Sequence, residues 1–166
     1  IKLEDPKGKV LYIAPRGGLH NRPFPCLKFR SMYANADDIK GQLMARNEMS
    51  GPVFKIKDDP RVTRVGRFIR RTSIDELPQF LNVLRGEMSL VGPRPHATIH
   101  NNEYEKRISM YAFRHHVKPG ITGWAQINGL RGETARLALM EKRVELDLWY
   151  INNWSLWLDI KILVKT

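Results

Sequence analysis

Arg61-Val62-Thr63-Arg64-Val65-Gly66-Arg67-Phe68-Ile69-Arg70-Arg71-Thr72-Ser73-Ile74-Asp75-Glu76-Leu77-Pro78-Gln79 packs a run of arginines directly ahead of two adjacent carboxylates. Arg61, Arg64, Arg67 and Arg71 recur at spacings of three and four, with Val62, Val65, Phe68 and Ile69 on the other face. That pattern predicts a basic amphipathic helix over 61–71. Thr72-Ser73 breaks it. Ser73, three residues before Glu76, matches a capping box. Ile74, Leu77, Leu81 and Leu84 then continue at helical spacing to a stop at Gly86. With Ser73 as the cap, Pro78 costs a backbone bond; with Asp75 as the cap, its missing N–H does no harm. Either start places Asp75 and Glu76 at the positive end of a helix.

Working outward, residues 1–30 are rich in Gly and Pro. The runs Val10-Leu11-Tyr12-Ile13 and Cys26-Leu27-Lys28-Phe29 predict short strands or irregular hairpin structure. Residues 35–48 predict a helix with Asp37 and Asp38 in its first turn, ended by Gly51-Pro52. Met88-Ser89-Leu90-Val91 is extended and runs into Gly92-Pro93-Arg94-Pro95. A helix is expected over 102–114, with Tyr104, Ile108 and Tyr111 on one face, and a glycine-rich loop over Val117–Gly129. A long helix follows from about Thr134 to Tyr150, striped by Leu137, Met140, Val144, Leu148 and Ile151. The segment from Trp154 to Val164 is strongly apolar. The expected class is mostly α with minor β, an α+β domain of several helices and short strands.

The 166 residues are enough for one domain with a real core, and 42% are hydrophobic. The formal charge of +11 calls for a polyanionic partner: nucleic acid, an anionic membrane or a phosphorylated substrate. One cysteine, Cys26, excludes an internal disulfide and reads as a small buried hydrophobe. No apolar run approaches the roughly 20 residues of a spanning helix, and there is no signal peptide. The start at Ile1, without Met, leads to the expectation of a fragment, 1–166 being a single catalytic domain without its N-terminal membrane-anchoring region.

Four constellations can carry chemistry, each with a plainer structural alternative. Asp75-Glu76 is a helix cap, or Asp75, kept ionised by arginines, is a nucleophile or metal ligand. Adjacent helical residues point about 100° apart, which gives the two acids separate roles. Pro93-Arg94-Pro95 is a rigid turn or a preorganised guanidinium for a phosphate. Alternation puts Lys28 and Arg30 on one face of an extended segment, as a solvated edge or a phosphate contact. The basic helix, through Arg61, Arg64, Arg67 and Arg71, together with Trp154 and Trp157, is a solvated face or an anionic-membrane surface. His115-His116 has no third ligand at a matching spacing for zinc. Gly129-Leu130-Arg131-Gly132-Glu133-Thr134 lacks the spacing of a P-loop. Asp147 reads as a surface partner of Arg143 at i, i+4.

Taken together, the chain resembles the bacterial sugar transferase family, the monotopic phosphoglycosyl transferases. The resemblance is carried by Lys28-Phe29-Arg30-Ser31-Met32, Thr63 to Arg70, Ser73 to Gln79, Asn82-Val83-Leu84, Met88 to Pro95 and Lys118-Pro119-Gly120-Ile121-Thr122-Gly123-Trp124-Ala125-Gln126. Arg131-Gly132-Glu133-Thr134 and Asp147-Leu148 to Trp154-Ser155-Leu156 with Asp159 are most similar to the hexose-1-phosphate branch, of the undecaprenyl-phosphate glucose phosphotransferase type. Tyr12-Ile13-Ala14-Pro15-Arg16 departs from the family pattern by lacking an Arg-Gln pair.

The resemblance implies transfer of a hexose 1-phosphate from a UDP-sugar, UDP-glucose or UDP-galactose, to polyprenyl (undecaprenyl) phosphate. It implies an aspartyl-phosphosugar intermediate and the start of exopolysaccharide, O-antigen or capsule synthesis. Carried over residue by residue, Asp75 is the nucleophile and Glu76 the neighbouring carboxylate. Both are candidate Mg2+ ligands, and Arg94, Lys28, Arg30 and Arg131 are phosphate contacts. The implied location is the cytoplasmic face of a bacterial inner membrane, against an anionic surface. The alternatives are a non-catalytic basic membrane-surface module, which leaves Asp75-Glu76 without a task, and a nucleic-acid-binding module. No nucleic acid is expected as a partner. No recognition motif is present, and the basic residues flank carboxylates that its phosphates would repel.

Overall fold

The computed structural model describes residues 1–47, 54, 56, 58–132 and 136–166. The expected helix stop at Gly51-Pro52 and the pair Glu133-Thr134 lie outside the described residues. The elements are short strands and helices, an α+β arrangement dominated by helix. They form two compact units. One comprises Ile1–Ala14 and Leu27–Gln79, the other Pro15–Cys26 and Phe80–Thr166.

β1 (Leu11–Gly17) and β2 (Pro23–Phe29) pair in a two-stranded sheet, where the runs of β-branched and aromatic residues predicted them. Both strands are edges, so Pro15, Pro23 and Pro25 cost few ladder bonds. Gly18 N–H donates to Arg22 O (2.8 Å) and closes the connecting turn.

In the first unit, α1 (Ala36–Lys40) has Asp37 and Asp38 in its first turn and passes into a 3-10 helix over Gly41–Arg46. α2 spans Arg64–Arg71, three residues shorter at its start than the basic pattern predicts. The shortening has a cause. Thr63 takes an extended conformation and accepts from Gly66 N–H with its hydroxyl (2.8 Å), which makes it the N-cap. Arg61 and Val62 therefore lie outside the helix.

In the second unit, β3 (Ser89–Val91) and β4 (Gly120–Thr122) pair in parallel, with Ser89 opposite Gly120 and Val91 opposite Thr122. α4 (Thr98–Arg107) lies between them in sequence. The single helix expected over 102–114 is interrupted after Arg107. Met110 adopts a left-handed conformation (φ 64°), and a 3-10 helix runs over Tyr111–His116. Tyr104, Ile108 and Tyr111 nevertheless share one buried cluster with Met140 and Val144 of α5 (Leu137–Asn152). A second cluster joins Val91 and Tyr150 to Leu158 and Ile162 of α6 (Leu156–Lys165). A third contains Phe24, Cys26 and Met88, which places the lone cysteine where a small hydrophobe belongs.

α6 buries only one side. Leu156, Trp157 and Val164 are exposed, as is Trp154 ahead of the helix. Among the described residues no helix is long and apolar enough to cross a membrane.

Candidate functional site

The acidic turn is built by its backbone. α2 is capped twice, by the Thr63 hydroxyl and by Glu4, whose Oε2 accepts from Val65 N–H at 2.9 Å. That hydrogen bond holds the Glu4 carboxyl below its usual range. Gly66 lies against the Ser31 main chain so closely that a Cβ there would meet the Ser31 carbonyl carbon at 2.7 Å and collide with its oxygen. At the other end, the Thr72 hydroxyl donates to Phe68 O (3.0 Å), and Ser73 turns the chain in a left-handed conformation (φ 58°, ψ 15°).

Ile74, Asp75 and Glu76 follow as one 3-10 turn. α3 begins only at Gln79, directly after Pro78, and runs to Leu84. Both sequence-based placements of the helix start are thus corrected. The Ser73 side chain makes no capping bond, because its φ has turned away from the extended cap conformation. Asp75 precedes α3 instead of capping it. Proline suits the entry to a helix and not its interior, and this sets where α3 can begin.

Asp75 is 9% exposed. The Glu76 Oε1 sits 2.7 Å from Lys28 Nζ, both side chains being largely buried. Arg70 donates through Nε to Ser31 Oγ (2.7 Å). Burial draws the Arg70 guanidinium below its usual value, and Asp75 is the principal charge opposing that shift.

The alternation of Lys28 and Arg30 gives them different tasks. Arg30 is buried, and its guanidinium holds the N-terminal segment. It pairs with the Asp5 carboxylate and donates to Asp5 O (2.8 Å), Lys9 O (2.6 Å) and Met32 O (3.1 Å). The expectation of a phosphate contact is replaced at Arg30 by a structural strut. Arg61 departs in the same way from the expected membrane-surface row. It is 6% exposed, and it is paired with Asp59 at 2.6 Å. Arg64, Arg67 and Arg71 are exposed on α2, and Trp154 and Trp157 are exposed in the second unit.

Arg94 sits in a loop that close-approaching glycines make possible. Gly92 N–H donates to Thr122 O, and Gly120 N–H to Pro93 O, both at 2.9 Å. A Cβ on Gly92 would meet Lys118 O at 2.6 Å. The loop borders a small cleft whose lining includes Gly17, Gly18, Arg94, Arg114 and His115. Arg131 borders another with Thr122, Gln126, Ile127, Lys165 and Thr166.

Behind Arg94 lies a buried polar network absent from the sequence reading. Asp147 is 2% exposed and does not pair with Arg143 at a surface. Its Oδ2 accepts from Arg114 Nη2 (2.8 Å) and Nε (3.1 Å). Arg114 Nη2 also donates to Arg94 O (2.8 Å), and its Nη1 lies 2.6 Å from His96 Nδ1. Arg143, equally buried, donates to Leu130 O (2.8 Å) and Gly132 O (2.7 Å). His96 is held far below its usual pKa, first by burial and then by Arg114 and Arg143. A guanidinium can only donate, so Nδ1 of the neutral ring is assigned as the acceptor. Arg16, where the family pattern departs, bridges to Ala97 in this same unit. The only sequence signal for the network was the concentration of basic residues at Arg114-His115-His116, and their partners are 18–33 residues away.

Among the described residues no group of three or more His, Cys, Asp or Glu side chains is placed to hold a metal. Asp75 and Glu76 are two hard oxygen donors on one turn. That donor set fits magnesium held jointly by one or two carboxylates and a substrate's phosphates, and not a dedicated protein cage.

The bacterial sugar transferase model matches residues 1–166. Over 166 residues the chain is 54% identical to the UDP-glucose:undecaprenyl-phosphate glucose-1-phosphate transferase of Escherichia coli (strain K12), covering all of this chain and 33% of that protein. It is 51% identical to the protein of that name from Caulobacter vibrioides, covering 58% of it. It is 45% identical over 163 residues to the undecaprenyl-phosphate galactose phosphotransferase of Salmonella typhimurium, covering 33% of it. The chain thus spans about a third of the length of most of these curated relatives. A family match along its whole length, with relatives more than 50% identical over all of it, makes the chain a member of the bacterial sugar transferase family.

Proposed function

We propose that the whole protein is a phosphoglycosyl transferase. It moves a hexose 1-phosphate, from UDP-glucose or UDP-galactose, onto undecaprenyl phosphate. The observation that carries this reading is the acidic turn: a largely buried Asp75 whose charge acts on Arg70, next to a Glu76 held by Lys28. The relatives' names support the substrate classes.

The Asp75 carboxylate attacks the phosphorus nearer the sugar. A bond from its oxygen to phosphorus forms, the phosphoanhydride bond breaks, and UMP leaves with the electron pair. A phosphate oxygen of the lipid then attacks the same phosphorus and releases Asp75. One small site can serve two substrates because the nucleotide leaves before the lipid reacts. Lys28 orients Glu76 and balances its charge. Arg94 and Arg131 contact phosphate oxygens, since phosphoryl transfer depends on position and charge neutralisation above all. Asp75 and Glu76 are the residues that would hold magnesium, which when bound supplies charge neutralisation on the diphosphate.

In the first unit Arg64, Arg67 and Arg71 contact anionic headgroups, and in the second Trp154 and Trp157 contact the headgroup layer, on the cytoplasmic side of the membrane. The product starts exopolysaccharide, O-antigen or capsule synthesis. Incubating the whole protein with UDP-glucose or UDP-galactose while withholding the lipid, followed by peptide mass spectrometry, tests the reading. A hexose-phosphate adduct is expected on Asp75. Asp75→Asn should melt as the parent does, form no adduct and transfer nothing. UMP release that requires the lipid and leaves no adduct would instead indicate direct transfer.

A further inference from the structure

We propose that Arg114 and Asp147, linked to His96 and Arg143, are positioning residues that set the Arg94 loop for the donor diphosphate, an inference that rests on the transfer reading above. All of these residues lie in one compact unit. Arg114 and Asp147 are each 2% exposed, and Asp147 accepts twice from the one guanidinium. The same Nη2 that binds Asp147 also donates to the main-chain oxygen of Arg94 (2.8 Å). That bond fixes where the Arg94 side chain begins. Two residues on, His96 meets Arg114 at 2.6 Å through Nδ1 and the Tyr111 hydroxyl at 2.7 Å, so the loop is held at two points.

The Arg131 loop is treated alike. Arg143 donates to the carbonyls of Leu130 and Gly132, on either side of Arg131. The guanidiniums that hold the two loops flank one ring: Arg114 Nη1 lies 2.6 Å from His96 Nδ1 and Arg143 Nη1 3.4 Å from its Nε2. Arg143 stays charged at neutral pH, although burial, with Arg114 next, lowers its pKa to about 10.

Stability alone does not account for the arrangement. A buried ion pair costs so much desolvation that a well-packed apolar pair often serves as well or better. Here a second buried guanidinium, Arg143, adds its charge near the Arg114–Asp147 pair, a poor arrangement for stability. What an apolar pair cannot do is hold a carbonyl at a fixed place, and a misplacement of about 1 Å can cost about a hundredfold in rate.

The test uses the whole protein in membranes or detergent, with donor KM, kcat and melting temperature measured for each variant. Arg94→Ala and Arg114→Lys are each expected to raise donor KM about tenfold or more, as the loss of a charge-assisted hydrogen bond does. Their combination should raise it no further, since both act through the same guanidinium. The double variant R114M/D147L should melt at or above the parent temperature yet keep the raised KM.

If R114M/D147L recovers the parent KM together with its melting temperature, the network is structural and the proposal is overturned. Independent, multiplying effects of Arg94→Ala and Arg114→Lys overturn it too. Should Arg94→Ala alone leave KM unchanged, the phosphate role of Arg94 fails, and the proposal with it. If Arg94→Ala raises KM and Arg114→Lys does not, the role of Arg94 stands and only the positioning inference falls.

Discussion

The acidic turn and the arginine loop are held in opposite ways. In the first unit, Asp75 is placed by main-chain conformation. A glycine lets α2 lie on Ser31, Thr63 and Glu4 cap the helix, and a left-handed serine turns the chain into the 3-10 turn. In the second unit, Arg94 is placed by side chains, through a buried guanidinium that binds its carbonyl while a carboxylate binds the guanidinium. The first device should be sensitive to an added Cβ and the second to a lost charge. A functional side chain can therefore depend on residues that share none of its chemistry.

Gly66→Ala is the most severe way to break this contrast. The added methyl points at main-chain atoms of Ser31, which cannot swing aside as a side chain can. Overpacking of this kind costs about 1–3 kcal/mol and occasionally more, and at about 2–4 °C per kcal/mol for a domain of this size the melting temperature should fall by about 2–12 °C. Transfer should fall with it, because α2 leads directly into the acidic turn. Parent-like melting and turnover would mean that the approach of α2 to Ser31 is not what sets Asp75.

Ser73 sharpens the same point at lower cost. A β-branched residue in the left-handed region costs about 1–3 kcal/mol, whereas glycine enters it freely. Ser73→Val is expected to lose both stability and adduct formation at Asp75, and Ser73→Gly to retain most of both. The order should invert nowhere. If Val performs as well as Gly, side-chain chemistry at Ser73 matters and its backbone does not.

The same contrast explains what the sequence could and could not disclose. The helix and strand positions were legible wherever periodicity or β-branched runs carried them: β1, β2, β3, α1, α5 and the core face Tyr104-Ile108-Tyr111. So were the acidic pair and the arginine between two prolines, because unusual residue types at fixed spacing advertise themselves. The start of α3 was misjudged because Ser73 followed by Glu76 has the composition of a capping box, while the left-handed φ that disables it leaves no trace in a serine. Arg61 looked like the first of a helical row until Thr63 proved to be the cap. Asp147 has Arg143 four residues before it, the textual mark of a surface pair. Its actual partner, Arg114, is 33 residues away. Local spacing records what one helix can do with itself, and it is silent on what two distant segments do in a core.

The mildest expected effect separates the two regions by pH. His115 is 7% exposed, and its pKa is lowered to about 4, first by burial and then by Arg114, against a partial upward pull from a Gly18 backbone bond. In the unfolded chain the ring titrates near 6.5. Between those values the unfolded state binds the extra proton, so stability is full above about pH 6.5 and drains away as pH falls toward 4. His96 is displaced in the same direction. Asp147 is pushed upward by its burial, against Arg114, and so opposes this loss only near the acid end of the window.

Glu4, Asp5 and Asp59 of the first unit are all lowered, Glu4 by the Val65 N–H, Asp5 by the Ala34 N–H and Asp59 by Arg61. Their contribution is complete above the usual carboxylate range and is lost only below it. Acidification from pH 7 to 5 should therefore weaken the histidine-bearing unit first, with transfer falling before the acidic turn is affected. His115→Gln, which can still donate to the Gly18 carbonyl, should flatten the fall in melting temperature over that interval. Parallel slopes for parent and variant would mean that His115 is not held neutral in the core, and that the pH sensitivity belongs to His96 alone.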